Sequence, residues 1–113
     1  MAKLRRYNGN YLLEVNNGVF RDYNGPYTYE LSGNYIRRYN GNYLFEIVGN
    51  AIREYNGPYL VEVEGQTLRR YNGNRIYQLE GNFIREYNGQ YLYEIEGFVS
   101  HRELLGLLAI LFA

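Results

Sequence analysis

Apolar and polar positions alternate along most of the chain, and Asn-Gly interrupts the alternation at fixed intervals. Tyr-Asn-Gly stands at residues 7–9, 23–25, 39–41, 55–57, 71–73 and 87–89, each copy sixteen residues after the last. Period-two alternation around Asn-Gly is the strongest short-range sign of a β-hairpin. It predicts a two-residue type I′ turn with positive φ at both Asn and Gly. A second glycine recurs midway, at Gly33, Gly49, Gly65, Gly81 and Gly97, so each eight-residue unit holds one strand of about six residues and one tight turn. Only "VNNGVF" departs, its glycine falling one place late at Gly18. Pro26 and Pro58 follow tip glycines, where a missing N–H disturbs a ladder least. The predicted fold class is all-β. It is an antiparallel meander of about twelve short strands, six hairpins of sixteen residues, arranged as a closed barrel-like or flower-like array.

Two-residue turns at both ends of each strand imply a register in which Ile36 faces Phe45, Phe45 faces Ile52 and Ile52 faces Val61. Extended along the chain, the row reads Leu4, Leu13, Phe20, Tyr29, Ile36, Phe45, Ile52, Val61, Leu68, Tyr77, Ile84 and Tyr93. Val15, Leu31, Ile47, Val63, Leu79 and Ile95 share that face, which is the expected core. A one-residue slip would turn the whole row to solvent, so the pattern constrains the pairing. The opposite face carries Arg5, Arg21, Arg37, Arg53, Arg69 and Arg85, beside Glu14, Glu30, Glu46, Glu62, Gln78 and Glu94. In this register Arg53 faces Leu44 and lies diagonal to Glu46. Six arginines could form an anion-binding ring. A solvated face of paired charges, each pair contributing about 0–1 kcal/mol, is the plainer reading, and the nearby carboxylates favour it. One residue later the sign alternates, through Arg6, Asp22, Arg38, Glu54, Arg70 and Glu86. An even number of alternating charges closes on itself, Glu86 meeting Arg6, if the sheet forms a ring without free edges.

The repeats stop at Gly97, and "FVSHRELLGLLAILFA" follows. Ser100 and Glu103, three apart, form a capping box that opens a helix. Leu104 to Ala113 is apolar all round, the mark of an enclosed element. Ten residues rise only about 15 Å, half of a bilayer core, so no transmembrane segment is expected. The helix is placed as a plug on the apolar face of the array. Exchange into a second copy and interfacial anchoring are the alternatives. Gly106 within it fits a close approach by a neighbouring backbone or ring, and His101 is a first-turn residue near the rim. Residues 1–97 thus form a hairpin-repeat β domain and 98–113 a helix packing on or plugging it, a single domain overall.

Composition narrows the chemistry. The 113 residues carry 12 Lys plus Arg against 12 Asp plus Glu, which argues against nucleic acid as a partner, since that needs a basic excess. Cysteine is absent, histidine occurs once, and serine only at Ser32 and Ser100, so no nucleophile–base pair or metal cluster is spelled out and no cofactor is implied. No apolar run of the signal-peptide kind opens the chain, and a cytoplasmic location is expected. Fifteen tyrosines and no tryptophan are the unusual feature. Tyr7, Tyr23, Tyr39, Tyr55, Tyr71 and Tyr87 at the tips are candidate ligand-binding residues, able to stack on sugars or peptide side chains. The plainer reading for them is cross-strand packing beside the turn. Tyr11, Tyr27, Tyr43, Tyr59 and Tyr91 are expected on the core face near the tips. Arg75 replaces the tyrosine due in that series, and this departure marks it as a candidate site residue.

"IRRYNGNYLFEIVGN" and "IREYNGQYLYEIEGF", closed by "SHRELLGLLAILFA", resemble the β-flower proteins, small bacterial proteins of hairpin repeats with an aromatic-x-Gly tip and a short hydrophobic C-terminal helix. The resemblance covers nearly the whole chain. It implies hairpin petals around a central axis in a family with no assigned activity. A weaker likeness, to secreted aromatic hairpins that bind cell-wall choline or glucan, is opposed by the absence of tryptophan and of an export signal. The expected function is therefore a non-enzymatic structural or protein-interaction domain. An unknown protein partner, or self-association through the C-terminal helix, is the implied contact. The alternative is a carbohydrate- or peptide-binding module that uses the Tyr-Asn-Gly tips.

Overall fold

A computed structural model of the chain describes residues 2–113. Strands follow the sequence period. The first half forms three hairpins: β1 (Ala2–Arg6) with β2 (Tyr11–Asn16), β3 (Val19–Asp22) with β4 (Tyr27–Ser32), and β5 (Tyr35–Arg38) with β6 (Tyr43–Val48). The second half repeats the scheme: β7 (Ala51–Glu54) with β8 (Tyr59–Glu64), β9 (Thr67–Arg70) with β10 (Arg75–Glu80), and β11 (Phe83–Glu86) with β12 (Tyr91–Glu96). Each strand pairs antiparallel with the next, and β12 returns to β1 with Leu4 opposite Ile95. The sheet is a closed barrel of twelve strands and presents no free edge. Eight residues lead from each short turn to the next tip, about 26 Å of extended chain, whereas the molecule measures 36 × 35 × 17 Å. The strands therefore cannot stand upright along the short axis, and the hairpins lean outward as petals of a disc.

The two kinds of turn differ from the simple expectation. At the Tyr-Asn-Gly tips φ is positive at Asn8, Asn24, Asn40, Asn56, Asn72 and Asn88 (54–56°) but not at the glycines that follow, so these are not type I′ turns. Gly9 N donates to the Arg6 carbonyl (2.8 Å) and Arg6 N to that of Asn10 (3.0 Å), a pattern repeated at all six tips. Close approach, rather than φ, explains the tip glycine: a Cβ on Gly89 would lie 2.8 Å from Glu86 Cβ. Such a turn puts one extra residue into the returning strand. Leu4 faces Leu13 while Arg5 faces Tyr11, which leaves Leu12 as a bulge. At the other ends, Gly33, Gly49, Gly65 and Gly81 hold positive φ at the first position of two-residue turns, as a type II′ turn demands. Positive φ at both central residues occurs at Asn17 and Gly18, in the one inter-hairpin turn that departs from the repeat.

These turns correct the register. Pairs across the tips stand as expected, Ile36 opposite Phe45 and Ile52 opposite Val61. Across the short turns, centred on Gly49-Asn50 rather than one residue earlier, pairing moves by two. Ile52 faces Ile47, Phe45 faces Glu54, and Arg53 lies directly opposite Glu46 instead of diagonal to it. A shift of two preserves the face, so the twelve-residue apolar row and its six companions all belong to the core cluster. The bulge does change faces. Tyr11, Tyr27, Tyr43, Tyr59 and Tyr91 lie on the arginine side, beneath the guanidinium groups of Arg5, Arg21, Arg37, Arg53 and Arg85, and not on the core face. Leu12, Leu60 and Ile76 at the bulges pack toward the core in their place.

Helix α1 (His101–Phe112) fills the barrel. Ser100 Oγ accepts from Glu103 N, and Glu103 reaches back to Ser100 N, completing the capping box. Its other carboxylate oxygen accepts from Gly18 N at 2.9 Å. Arg102 donates to the Gly33 carbonyl, and His101 Nε2 lies 3.1 Å from Asn50 Oδ1. Three of the short turns thus meet the first turn of the helix. Leu105, Leu107 and Leu108 are fully buried against Leu4, Phe20, Ile36, Ile52, Leu68 and Ile84. A Cβ on Gly106 would meet Phe20 Cζ at 2.8 Å, so the glycine admits the one aromatic ring in that inner row. Phe112 stacks on Tyr77 at 3.9 Å. Among the described residues no helix is long and apolar enough to cross a membrane.

Candidate functional site

Outside the core, each petal is knitted by its arginine. Nε or Nη2 of Arg5, Arg21, Arg37, Arg53, Arg69 and Arg85 donates to the carbonyl of the tip glycine four residues on, at 2.7–3.2 Å. All six also lie within salt-bridge distance of a carboxylate. Arg21 pairs with Glu14, Arg37 with Glu30, Arg53 with Glu46 and Arg69 with Glu62, while Arg85 turns to Glu80 and Arg5 to Glu96. The planar guanidinium suits this double duty, since its fork of donors spans two acceptors. The series is an internal fastening, not an open anion-binding ring. Arg6, Asp22, Arg38, Glu54, Arg70 and Glu86 do alternate around the closed barrel and are exposed. No ion pair among the described residues joins Glu86 to Arg6.

Petals are joined to their neighbours at the tips. The bulge carbonyl of Leu12 accepts from Tyr23 N, and the same bond recurs around the ring to Leu92 and Tyr7. That bond brings five of the six tip rings onto the tyrosine of the preceding petal, while Tyr87 meets Arg75. Tyr11–Tyr23, Tyr27–Tyr39, Tyr43–Tyr55, Tyr59–Tyr71 and Tyr91–Tyr7 have centroids 4.7–5.2 Å apart. Tyr7, Tyr23, Tyr39, Tyr55, Tyr71 and Tyr87 nonetheless stay 36–41 % exposed. The six candidate tyrosines are therefore spread round the rim rather than gathered, each packed on one side and open on another. What the alternation alone misses is the partner series from Tyr11 to Tyr91. The extra residue between tip and strand is its only sequence signal.

Two of the outer contacts carry polar detail. The Tyr11 hydroxyl donates to Glu96 at 2.8 Å, and that of Tyr91 donates to Glu80. Each hydroxyl is held above its ordinary pKa, first by this hydrogen bond to a carboxylate and then by burial. Glu96 is held below its own, by the Tyr11 bond first and Arg5 second.

The groove between the fifth and sixth petals breaks the pattern. Arg75 stands where the stacking tyrosine belongs, its guanidinium 5.9 Å from the Tyr87 centroid and bonded to Glu64 at 3.2 Å. Glu64, Arg69, Gly73, Asn74, Arg75 and Tyr87 line a hollow of about 640 Å³. In the same petal Gln78 replaces the repeated glutamate, and its buried amide oxygen has no hydrogen-bond partner. Among the described residues no cluster of His, Cys, Asp and Glu is arranged to hold a metal ion. No family model, no curated protein and no solved structure is significantly similar to the chain.

Proposed function

We propose that the protein is a non-enzymatic structural or protein-interaction module of the β-flower kind, whose working surface is the rim of tyrosine tips. The observation that carries this reading is the commitment of the helix and of the repeated arginines to internal contacts. The middle of the helix is buried, and each repeated arginine is tied to its own tip glycine and to a carboxylate of the preceding petal. Of the repeated groups left facing outward, the charges from Arg6 to Glu86 alternate in sign and the tip tyrosines are half-open aromatic rings, the repeated apolar surface on offer. Tyrosine combines a rigid apolar body with a polar tip, which suits protein interfaces. A second reading is favoured by the same open ring faces: the tips bind carbohydrate or peptide by stacking, and saturable shifts of tyrosine fluorescence on adding glycans would support it.

The test is mass in solution by light scattering, on the full chain and on a chain ending at Gly97. A monomeric full chain whose shortened form unfolds or aggregates is the expected result, and leaves the rim as the surface for a partner. A stable dimer that becomes a folded monomer on shortening would move the working surface to the helix and overturn the rim assignment.

A further inference from the structure

The molecule carries its own template for what the Arg75 groove accepts. Three groups converge on the ring of Tyr91: the Arg85 guanidinium at 4.8 Å, the stacked ring of Tyr7 at 5.1 Å, and the Glu80 carboxylate on its hydroxyl. Around Tyr11 the same three are Arg5 at 5.2 Å, Tyr23 at 4.9 Å and Glu96 at 2.8 Å. Sixteen-residue periodicity assigns these roles to Arg69, Tyr87 and Glu64 in the groove between the fifth and sixth petals, and all three line its hollow. No phenol of the chain lies between them. Arg75 does, with half of its side chain exposed. Thr67 at the groove's inner end is small, where Tyr35 and Phe83 in two other grooves press on the stacked rings at 5.1 and 5.4 Å.

We propose that this groove binds a phenolic ring supplied by a ligand. The ring lies on the open face of Tyr87 and beneath the Arg69 guanidinium, and its hydroxyl donates to Glu64. Arg75 swings aside along the exposed lip. Stacking, cation–π attraction and a charge-assisted hydrogen bond are each modest, and a single small ring held by all three binds with a dissociation constant of order 1 mM. The inference rests on the binding-module reading and gives it a ligand class: free phenols, or a tyrosine side chain of a partner protein.

The experiment is an NMR titration of the full chain with p-cresol, with toluene, and with N-acetyl-tyrosinamide, repeated on Arg75→Tyr. That variant installs the residue that five of six petals already carry, so its fold is not at risk. Saturable p-cresol shifts at Gly73, Asn74 and Tyr87 are expected, at least fivefold weaker with toluene and lost in Arg75→Tyr, whose own ring fills the groove. Tighter binding of N-acetyl-tyrosinamide than of p-cresol assigns the groove to a protein tyrosine, and equal binding to a free phenol. Absence of shifts up to about 20 mM, or shifts unchanged in Arg75→Tyr, would overturn the proposal. Shifts spread evenly over all six tips would overturn it too, while leaving the aromatic rim standing as a binding surface.

Discussion

At the scale of single residues, the contact between Tyr11 and Glu96 links petals across the point where the chain closes on itself. Its pH dependence has a definite sign. Glu96 is held below its ordinary value of 4.5, so the stability it contributes is present above pH 4.5 and lost as pH falls through the lower folded value. Tyr11 is raised above its ordinary 10.0, so its contribution persists up to pH 10.0 and is lost as pH rises through the higher folded value. In Tyr11→Phe the first cause of both shifts disappears. The Glu96 carboxyl, followed by NMR, is expected to titrate closer to 4.5 than in the parent, with Arg5 still holding it slightly low. An unchanged midpoint would mean that Arg5 alone sets it.

At the scale of the element, the hairpin is held by its turn and by the arginine that reaches back over it. Arg53 donates twice to the Gly57 carbonyl and once to Glu46. Lysine keeps the charge and loses the fork, so Arg53→Lys is expected to lower stability by about 1 kcal/mol in urea unfolding. Glu46→Gln removes only a partly exposed ion pair and is expected to cost less than about 0.5 kcal/mol. Equal losses would place the fastening in the ion pair rather than in the bond to the turn. This element also shows what was legible in the sequence. Period-two alternation and the sixteen-residue repeat were enough for strand number, antiparallel order and core face, because a pairing error of two residues leaves a side chain on its own face. Turn type was not legible, since Asn-Gly suits both a type I′ turn and a tip where only Asn takes positive φ and glycine serves close packing. The bulge followed from that turn, and with it the placement of Tyr11 and its equivalents. Arg75 stood out in the sequence as a broken repeat. The convergence of Glu64 and Arg69 on its groove needed the closed, leaning geometry of the petals.

At the scale of the whole molecule, six near-equal petals offer the helix six near-equal orientations about the ring axis, and small asymmetries select one. Phe20 is the only ring in the inner row and faces Gly106. Gly18 presents its N–H to Glu103. Gly106→Ala adds a methyl group 2.8 Å from Phe20. Overpacking of this kind costs about 1–3 kcal/mol, against up to about 1 kcal/mol of improved helix propensity, for a net loss of about 1–2 kcal/mol in denaturant unfolding. Phe20→Leu in the same chain should recover part of the loss, a coupling of about 1 kcal/mol or more. Strict additivity of the two changes would mean that the pair does not set the orientation. The enclosed helix has a further consequence, for copy number. Twelve strands about 4.8 Å apart give a girth of about 58 Å and a radius near 9 Å before tilt, which a helix about 10–12 Å across can fill with help from inward side chains. One more petal would add about 10 Å of girth and about 1.5 Å of radius, opening a gap all round the helix that the mainly aliphatic inner row would not fill. A gene built of repeated sixteen-residue units is prone to gain or lose one by unequal duplication. Here the sixteen residues after the last unit act as a gauge, so that a chain with a miscounted ring is a poorly folded chain.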